Sequence, residues 1–228
     1  ALDAAKGLEI TFIPGIELST YFNKESVHVL GFFKGHGYKD TELIDFLNSI
    51  KRKRIERAEK IVENLAKFHD IHITLESIMK NGKDTIARPH IAKAIIDAGY
   101  NYDKEYIFEH FIGNDCPAYI PSVQIDTKEG VKLLKKHGAV VVLAHPVLLK
   151  KSSFQDVLAL GFDGLEGIYP MNSEEDTEKF LSYAKEHNLI TSCGSDSHGG
   201  EDDLKHGSLG SMEMDEEWLT KFLTKLKA

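Results

Sequence analysis

Ala139-Val140-Val141-Val142-Leu143-Ala144-His145-Pro146 is an unbroken apolar run that stops on an imidazole and a proline. Lacking polar alternation, such a run reads as a strand buried on both faces, the kind that makes up parallel sheets. Pro146 fixes the direction in which the chain leaves. Outward from this run the pattern alternates. Residues 127–137 show helical spacing and stop at Gly138, and residues 154–160 are helical again before the strand signal Gly164-Leu165-Glu166-Gly167-Ile168-Tyr169. A helix over residues 173–187 leads into a strand over 189–192, and a last helix covers 215–226. Helices alternating with short apolar runs imply parallel strands with right-handed crossovers, so the fold class is α/β.

The other end of the chain reads differently. Ala1-Leu2-Asp3-Ala4-Ala5-Lys6 resembles the tail of a helix closed by Gly7, and a chain that opens in mid-helix is expected to be a piece of a longer one. Ile10-Thr11-Phe12-Ile13 is a short strand signal, then come Pro14-Gly15 and Ile16-Glu17-Leu18-Ser19. Residues 27–33 form another strand-like run with His28 at its beginning. From residue 40 onward Leu43, Phe46, Leu47, Ile50, Ile61, Val62, Leu65 and Phe68 recur at helical intervals, opposite Lys51, Arg52, Lys53, Arg54 and Arg57. Further helices are expected over 74–80, 89–98 and 104–111. The domain expectation is therefore an α/β first part over 1–39, an all-helical insertion over 40–122, and an α/β second part over 123–228.

Composition narrows the function. Twenty-eight basic against 36 acidic residues give a formal charge of -8, which disfavours a broad nucleic-acid surface and leaves room for a short basic patch. Two cysteines, Cys116 and Cys193, make no disulfide framework and suit a cytoplasmic protein. No run approaches the roughly 20 apolar residues that span a bilayer.

The candidate chemistry lies at strand ends. Cys193-Gly194-Ser195-Asp196-Ser197-His198 follows an apolar run, and in extended backbone Asp196 and His198 would point to one side as a carboxylate–imidazole pair for a metal. A turn in which Asp196 caps the following residues fits the same letters. His145 is a second candidate ligand, or a core-edge histidine bonded to a carbonyl. Glu17, between apolar neighbours, needs a cation, whether metal or basic side chain. A turn between Glu17 and His28 would bring the two together. Arg88-Pro89-His90 opens a helix, where Arg88 and His90 suit a phosphate or simply a capped terminus. Glu166 would orient a ligand histidine from the same rim, with Tyr169 and Asn172 lining the pocket. Cys193 reads as an inert buried thiol. No Walker A loop, dinucleotide fingerprint or HExxH is present.

Ile13-Pro14-Gly15-Ile16-Glu17-Leu18-Ser19, His28-Val29-Leu30-Gly31, Ala87-Arg88-Pro89-His90-Ile91-Ala92, Leu143-Ala144-His145-Pro146 and Gly194-Ser195-Asp196-Ser197-His198 together resemble, in order, the PHP (polymerase and histidinol phosphatase) superfamily of metal-dependent phosphoesterases. The likeness is to its branch with a helical insertion, the bacterial nucleoside 3',5'-bisphosphate phosphatases and 5'-3' exoribonucleases. The resemblance implies a distorted (β/α)7 barrel with two or three divalent ions, Mn, Fe, Zn or Mg, at the C-terminal ends of its strands. It implies Glu17 bridging two metals, with His28, His145, Asp196 and His198 as further ligands. Arg88 and His90 would face the substrate phosphates, and hydroxide would attack phosphorus. The expected substrate is a small phosphorylated nucleotide, extending to short RNA but not DNA, acted on by a monomer or weak homo-oligomer. A histidinol-phosphate-type phosphatase and a non-catalytic binding module are the alternatives. The His-x-His strand and Asp-His pair that open the family are missing from this chain. The expectation is a barrel truncated at its N-terminus, whose 228-residue piece binds metal poorly and can be inactive although the native protein is an enzyme.

Overall fold

The structure, a computed structural model, describes residues 2–5, 7–8, 10–82, 86–197 and 207–227. The chain divides into two compact units, residues 1–43 with 124–228, and residues 44–123. Among the described residues the strands are β1 (Gly15–Phe22), β2 (Glu25–Phe33), β3 (Ala139–Leu143), β4 (Gly164–Ile168) and β5 (Ile190–Cys193). The helices are α1 (Leu2–Ala5), α2 (Thr41–His69), α3 (Leu75–Gly82), α4 (Arg88–Asp97), α5 (Lys104–His110), α6 (Thr127–Lys136), α7 (Phe154–Leu158), α8 (Glu174–Glu186) and α9 (Glu216–Lys227).

The strands form one sheet in the order β1-β2-β3-β4-β5. β3, β4 and β5 are parallel, as the helix–strand alternation predicts. β1 and β2 are not. They form an antiparallel hairpin, and β2 pairs antiparallel with β3. The cause is local: Phe22 pairs with Glu25 across Asn23 and Lys24, whose φ angles of 47° and 61° are the two left-handed residues a tight hairpin turn requires. A two-residue turn leaves no room for a crossover, so the chain must reverse. The strand expected over Ile10-Thr11-Phe12-Ile13 is not formed. Ile10 and Phe12 are exposed, and pairing begins at Gly15.

One face of the sheet packs Val140, Val142 and Ile190 against Phe222 of α9, whose ring meets Phe32 edge-on at 5.0 Å. α6 is set against β1 by a buried polar contact. Thr20 Oγ1 donates to the Val27 carbonyl at 2.7 Å and lies 2.8 Å from Thr127 Oγ1. Side-chain caps start the helices where the sequence puts Asp or Ser: Asp126 accepts from the Glu129 N–H, and Ser173 and Asp176 exchange bonds as a capping box.

The helical unit has its own core, with Ile61, Leu65, Ile78, Ile91, Ile95, Ile107 and Ile112 fully buried. Among the described residues no helix is long and apolar enough to cross a membrane.

Candidate metal centre

The hairpin builds the first half of the site. Glu17 lies opposite Leu30 and Ser19 opposite His28, so Glu17 and His28 are diagonal neighbours on one face of the sheet. His28 sits inside β2 rather than at its start. Its Nδ1 is 2.6 Å from Glu17 Oε1. β3 supplies the other half. Its pairing with β2 continues one residue past Leu143, where the Ala144 N–H donates to the His28 carbonyl at 3.1 Å. His145 then turns out of the strand at φ 27° and ψ 62° before Pro146. A residue preceding proline ordinarily stays extended, so this left-handed backbone is strained and held by its surroundings. The result is that His145 Nε2 lies 3.1 Å from His28 Nδ1 and 3.4 Å from Glu17 Oε1. The ligand-type atoms of all three residues fall within 4.8 Å of one another.

Glu166, at 6% exposure, fixes this turn by accepting the His145 backbone N–H at 2.9 Å. Gly194 lets it do so, since a Cβ there would strike the Glu166 carboxylate. The Asp196 carboxylate is reached by the Tyr169 hydroxyl at 3.1 Å, and the Tyr169 and His145 rings are 5.4 Å apart.

The electrostatics match a cation site. Hydrogen bonds from His145 and His28 hold the Glu17 carboxyl far below its usual range and outweigh burial, so it is an anion at neutral pH. Burial favours the neutral His145 ring, but its hydrogen bond to Glu17 and the charges of Glu166, Glu17 and Asp196 prevail and raise its pKa. Burial pushes the Glu166 carboxyl up to about 7, against the His145 N–H. The Tyr169 hydroxyl is raised by burial and by Asp196. Burial also raises the Cys193 thiol, which fits an inert role. Two imidazoles and a carboxylate form a donor set suited to a first-row divalent ion, and three acidic groups around His145 supply a field that favours positive charge.

Of the five expected ligands the structure brings three together: Glu17, His28 and His145. Asp196 stands beside them, held by Tyr169, and acts on His145 and Glu166 through space. It has φ 52°, so the extended backbone that would pair it with the residue two positions on is absent. His198 lies outside the described residues. Arg88 and His90 belong to the helical unit. Arg88 Nη1 donates to the Asn114 side-chain oxygen at 3.0 Å and the Ile112 carbonyl at 3.4 Å, and His90 Nδ1 accepts the Ala87 N–H at 3.1 Å. Asn172 braces the loop after β4 by donating to the Gly167 carbonyl at 2.9 Å.

A second cluster, Asp40, Glu42 and His137, carried no sequence signal because its members come from a loop, a helix start and a helix end. Lys136 already neutralises Glu42 at 2.6 Å, and His137 Nδ1 is 3.4 Å from Asp40.

No family model matches the chain. The chain is 28% identical over 214 residues to a 3',5'-nucleoside bisphosphate phosphatase of Chromobacterium violaceum, covering 89% of this chain and 74% of that protein. It is 25% identical over 199 residues to the 5'-3' exoribonuclease Rnm of Escherichia coli, covering 84% and 67%. Among solved structures, a protein of Bifidobacterium adolescentis assigned as a metal-dependent phosphoesterase superposes with a TM-score of 0.78 at 28% identity, covering 99% of this chain and 80% of that one. An amidohydrolase from Chromobacterium violaceum with bound sulfate superposes with a TM-score of 0.72 at 27% identity, covering 93% and 75%. In sequence and in fold the chain is thus similar to proteins named as phosphatase, exoribonuclease and metal-dependent phosphoesterase.

Proposed function

We propose that this chain, a relative of the PHP-type phosphoesterases, removes phosphate from small nucleotides such as nucleoside 3',5'-bisphosphates and trims short RNA from its 5' end. The observation that carries this is the meeting of Glu17, His28 and His145 with their ligand atoms within 4.8 Å. In this reading these three, together with Asp196 and His198, hold two or three divalent ions of the Mn, Fe, Zn or Mg kind. When bound, such ions supply Lewis-acid activation of water and neutralise phosphate oxygens. The five-stranded sheet is then part of the distorted (β/α)7 barrel of that family, and the protein works in the cytoplasm as a monomer or weak homo-oligomer.

The chain's own groups have separate tasks. Glu17, ionised at neutral pH, supplies negative charge between the two imidazoles. Glu166 does not reach outward; it sets the position of His145 through the backbone N–H. Tyr169 orients Asp196 by donating its hydroxyl proton to a hydrogen bond. Arg88 and His90 are assigned to substrate phosphate, for which a planar guanidinium is suited.

The test is phosphate release from adenosine 3',5'-bisphosphate by the full-length gene product with added Mn²⁺, compared with histidinol phosphate and a 5'-phosphorylated oligoribonucleotide. His145→Ala is expected to lower turnover by ~100-fold or more, since even outer partners of metal ligands are worth 10–100-fold. Metal analysis should show its bound ions reduced. Activity unaffected by EDTA, or retained in His145→Ala, would refute the assignment.

A further inference from the structure

β2 leaves its hairpin turn through Glu25, whose carboxylate meets three consecutive backbone N–H groups in the segment before α7. Glu25 Oε2 accepts from the N–H of Lys150 at 2.9 Å and of Lys151 at 3.1 Å, and Oε1 accepts from that of Ser152 at 2.6 Å. Lys151 Nζ reaches back to the turn, donating to the Lys24 carbonyl at 3.1 Å. Successive N–H groups converging on one carboxylate make an anion nest. Burial acts to raise the Glu25 pKa, but the bonds from Lys150, Ser152 and Lys151 outweigh it and hold the carboxyl below its usual range. All of these residues belong to the α/β unit.

The nest is tied closely to His145. A single 3-10 turn over Pro146–Leu148 joins the two, closed by the Leu148 N–H on the His145 carbonyl at 3.0 Å and the Leu149 N–H on the Pro146 carbonyl at 3.2 Å. In the other direction Glu25 stands three residues before His28 on β2. Backbone and hydrogen bonds thus form a closed circuit from His28 through Glu25, the nest and the turn to His145, whose Nε2 returns to within 3.1 Å of His28 Nδ1. Pairing between β2 and β3 stops at Ala144, so strand pairing does not reach His145. A left-handed residue before proline persists only when its surroundings over-determine it. Glu166 holds the His145 N–H, and Glu25 holds the segment that follows.

We propose that Glu25 is a positioning residue of the metal centre: by tying the hairpin to the segment after His145, it keeps the two imidazoles together for a shared divalent ion. This rests on the metal-centre reading above and extends it to a side chain that does not touch the ion. Ligands already held in place lose little freedom when the ion binds, so slack in the circuit shows as weaker metal binding.

The experiment is calorimetric titration of the metal-stripped full-length gene product with Mn²⁺, beside thermal unfolding in EDTA. Glu25→Ala is expected to weaken Mn²⁺ binding about 10-fold, the lower end for outer partners of metal ligands. Glu25→Gln keeps an acceptor oxygen for the nest, and its affinity should fall between that of Glu25→Ala and the wild type. Phe222→Leu loosens the packing of α9 on Val140 and Phe32, at the opposite end of β3 from His145. It should lower the unfolding midpoint yet leave Mn²⁺ affinity within about twofold of wild type, the error of independent sites. Wild-type Mn²⁺ affinity in both Glu25 variants, or an equal loss in Phe222→Leu, would overturn the assignment while leaving the metal centre standing. A wild type that binds no Mn²⁺ would bring down the metal-centre reading itself, and this inference with it.

Discussion

Gly194→Ala tests the support under His145 without touching a proposed ligand. The new Cβ would strike the Glu166 carboxylate, which is buried and accepts the His145 backbone N–H at 2.9 Å. Gly194 is not among the residues at positive φ, so alanine meets no backbone strain there and its effect falls on Glu166 alone. Moving that carboxylate leaves a buried N–H unpaired and breaks a charge-assisted bond, worth ~1.5–3 kcal/mol. For a chain of this length that lowers the unfolding midpoint by roughly 2–4 °C per kcal/mol. The assay is urea and thermal unfolding at pH 8 in EDTA, where a carboxyl with a pKa of about 7 is mostly ionised. The control is Glu166→Ala, which removes the struck group. In that background Gly194→Ala should cost less than ~0.5 kcal/mol, giving a coupling well above the additivity error. An equal cost in both backgrounds would refute the proposed linkage, as would no cost in the wild type.

Two further outcomes follow from the packing of the α/β unit. Burial acts to raise the Asp163 pKa, but the Val141 N–H, the bond to Lys135 and the charges of Lys135 and Lys225 outweigh it, so its folded value is depressed. Its contribution is therefore complete above the unfolded pKa of about 3.9 and is lost as pH falls through the lower folded value. Asp163→Asn should flatten the acid limb of a stability–pH curve, and an unchanged limb would contradict this. Thr20→Val removes the partner of the buried Thr127 hydroxyl and the bond to the Val27 carbonyl, and should cost ~1–3 kcal/mol in urea unfolding. Adding Thr127→Val should recover part of that loss, and a purely additive double variant would count against the pairing.

Much of this architecture was legible in the letters. The stretch ending in His145-Pro146 is β3, and the helices of the C-terminal half fall where apolar spacing places them. Glu17 and His28 were legible as residues that a turn between them would bring together, but the form of that turn was not. Their meeting depends on a two-residue turn, and Asn23-Lys24 lacks the Asn-Gly signature that announces one. Ile10-Thr11-Phe12-Ile13 has strand composition but, among the described residues, forms no strand, which no local pattern reveals. The extended geometry assumed for Asp196 failed on a single dihedral, fixed by surroundings that sequence spacing does not contain.

The brevity of the link between β1 and β2 sets a limit on how this protein can diverge. Side chains alternate faces along a strand, so gaining or losing one residue at Asn23-Lys24 would turn His28 away from Glu17 and send Val27 or Val29 in its place. A single-codon indel there would dismantle the cluster with every ligand still encoded. Homologues that retain this chemistry should therefore vary freely in the identity of those two residues and hardly at all in their number.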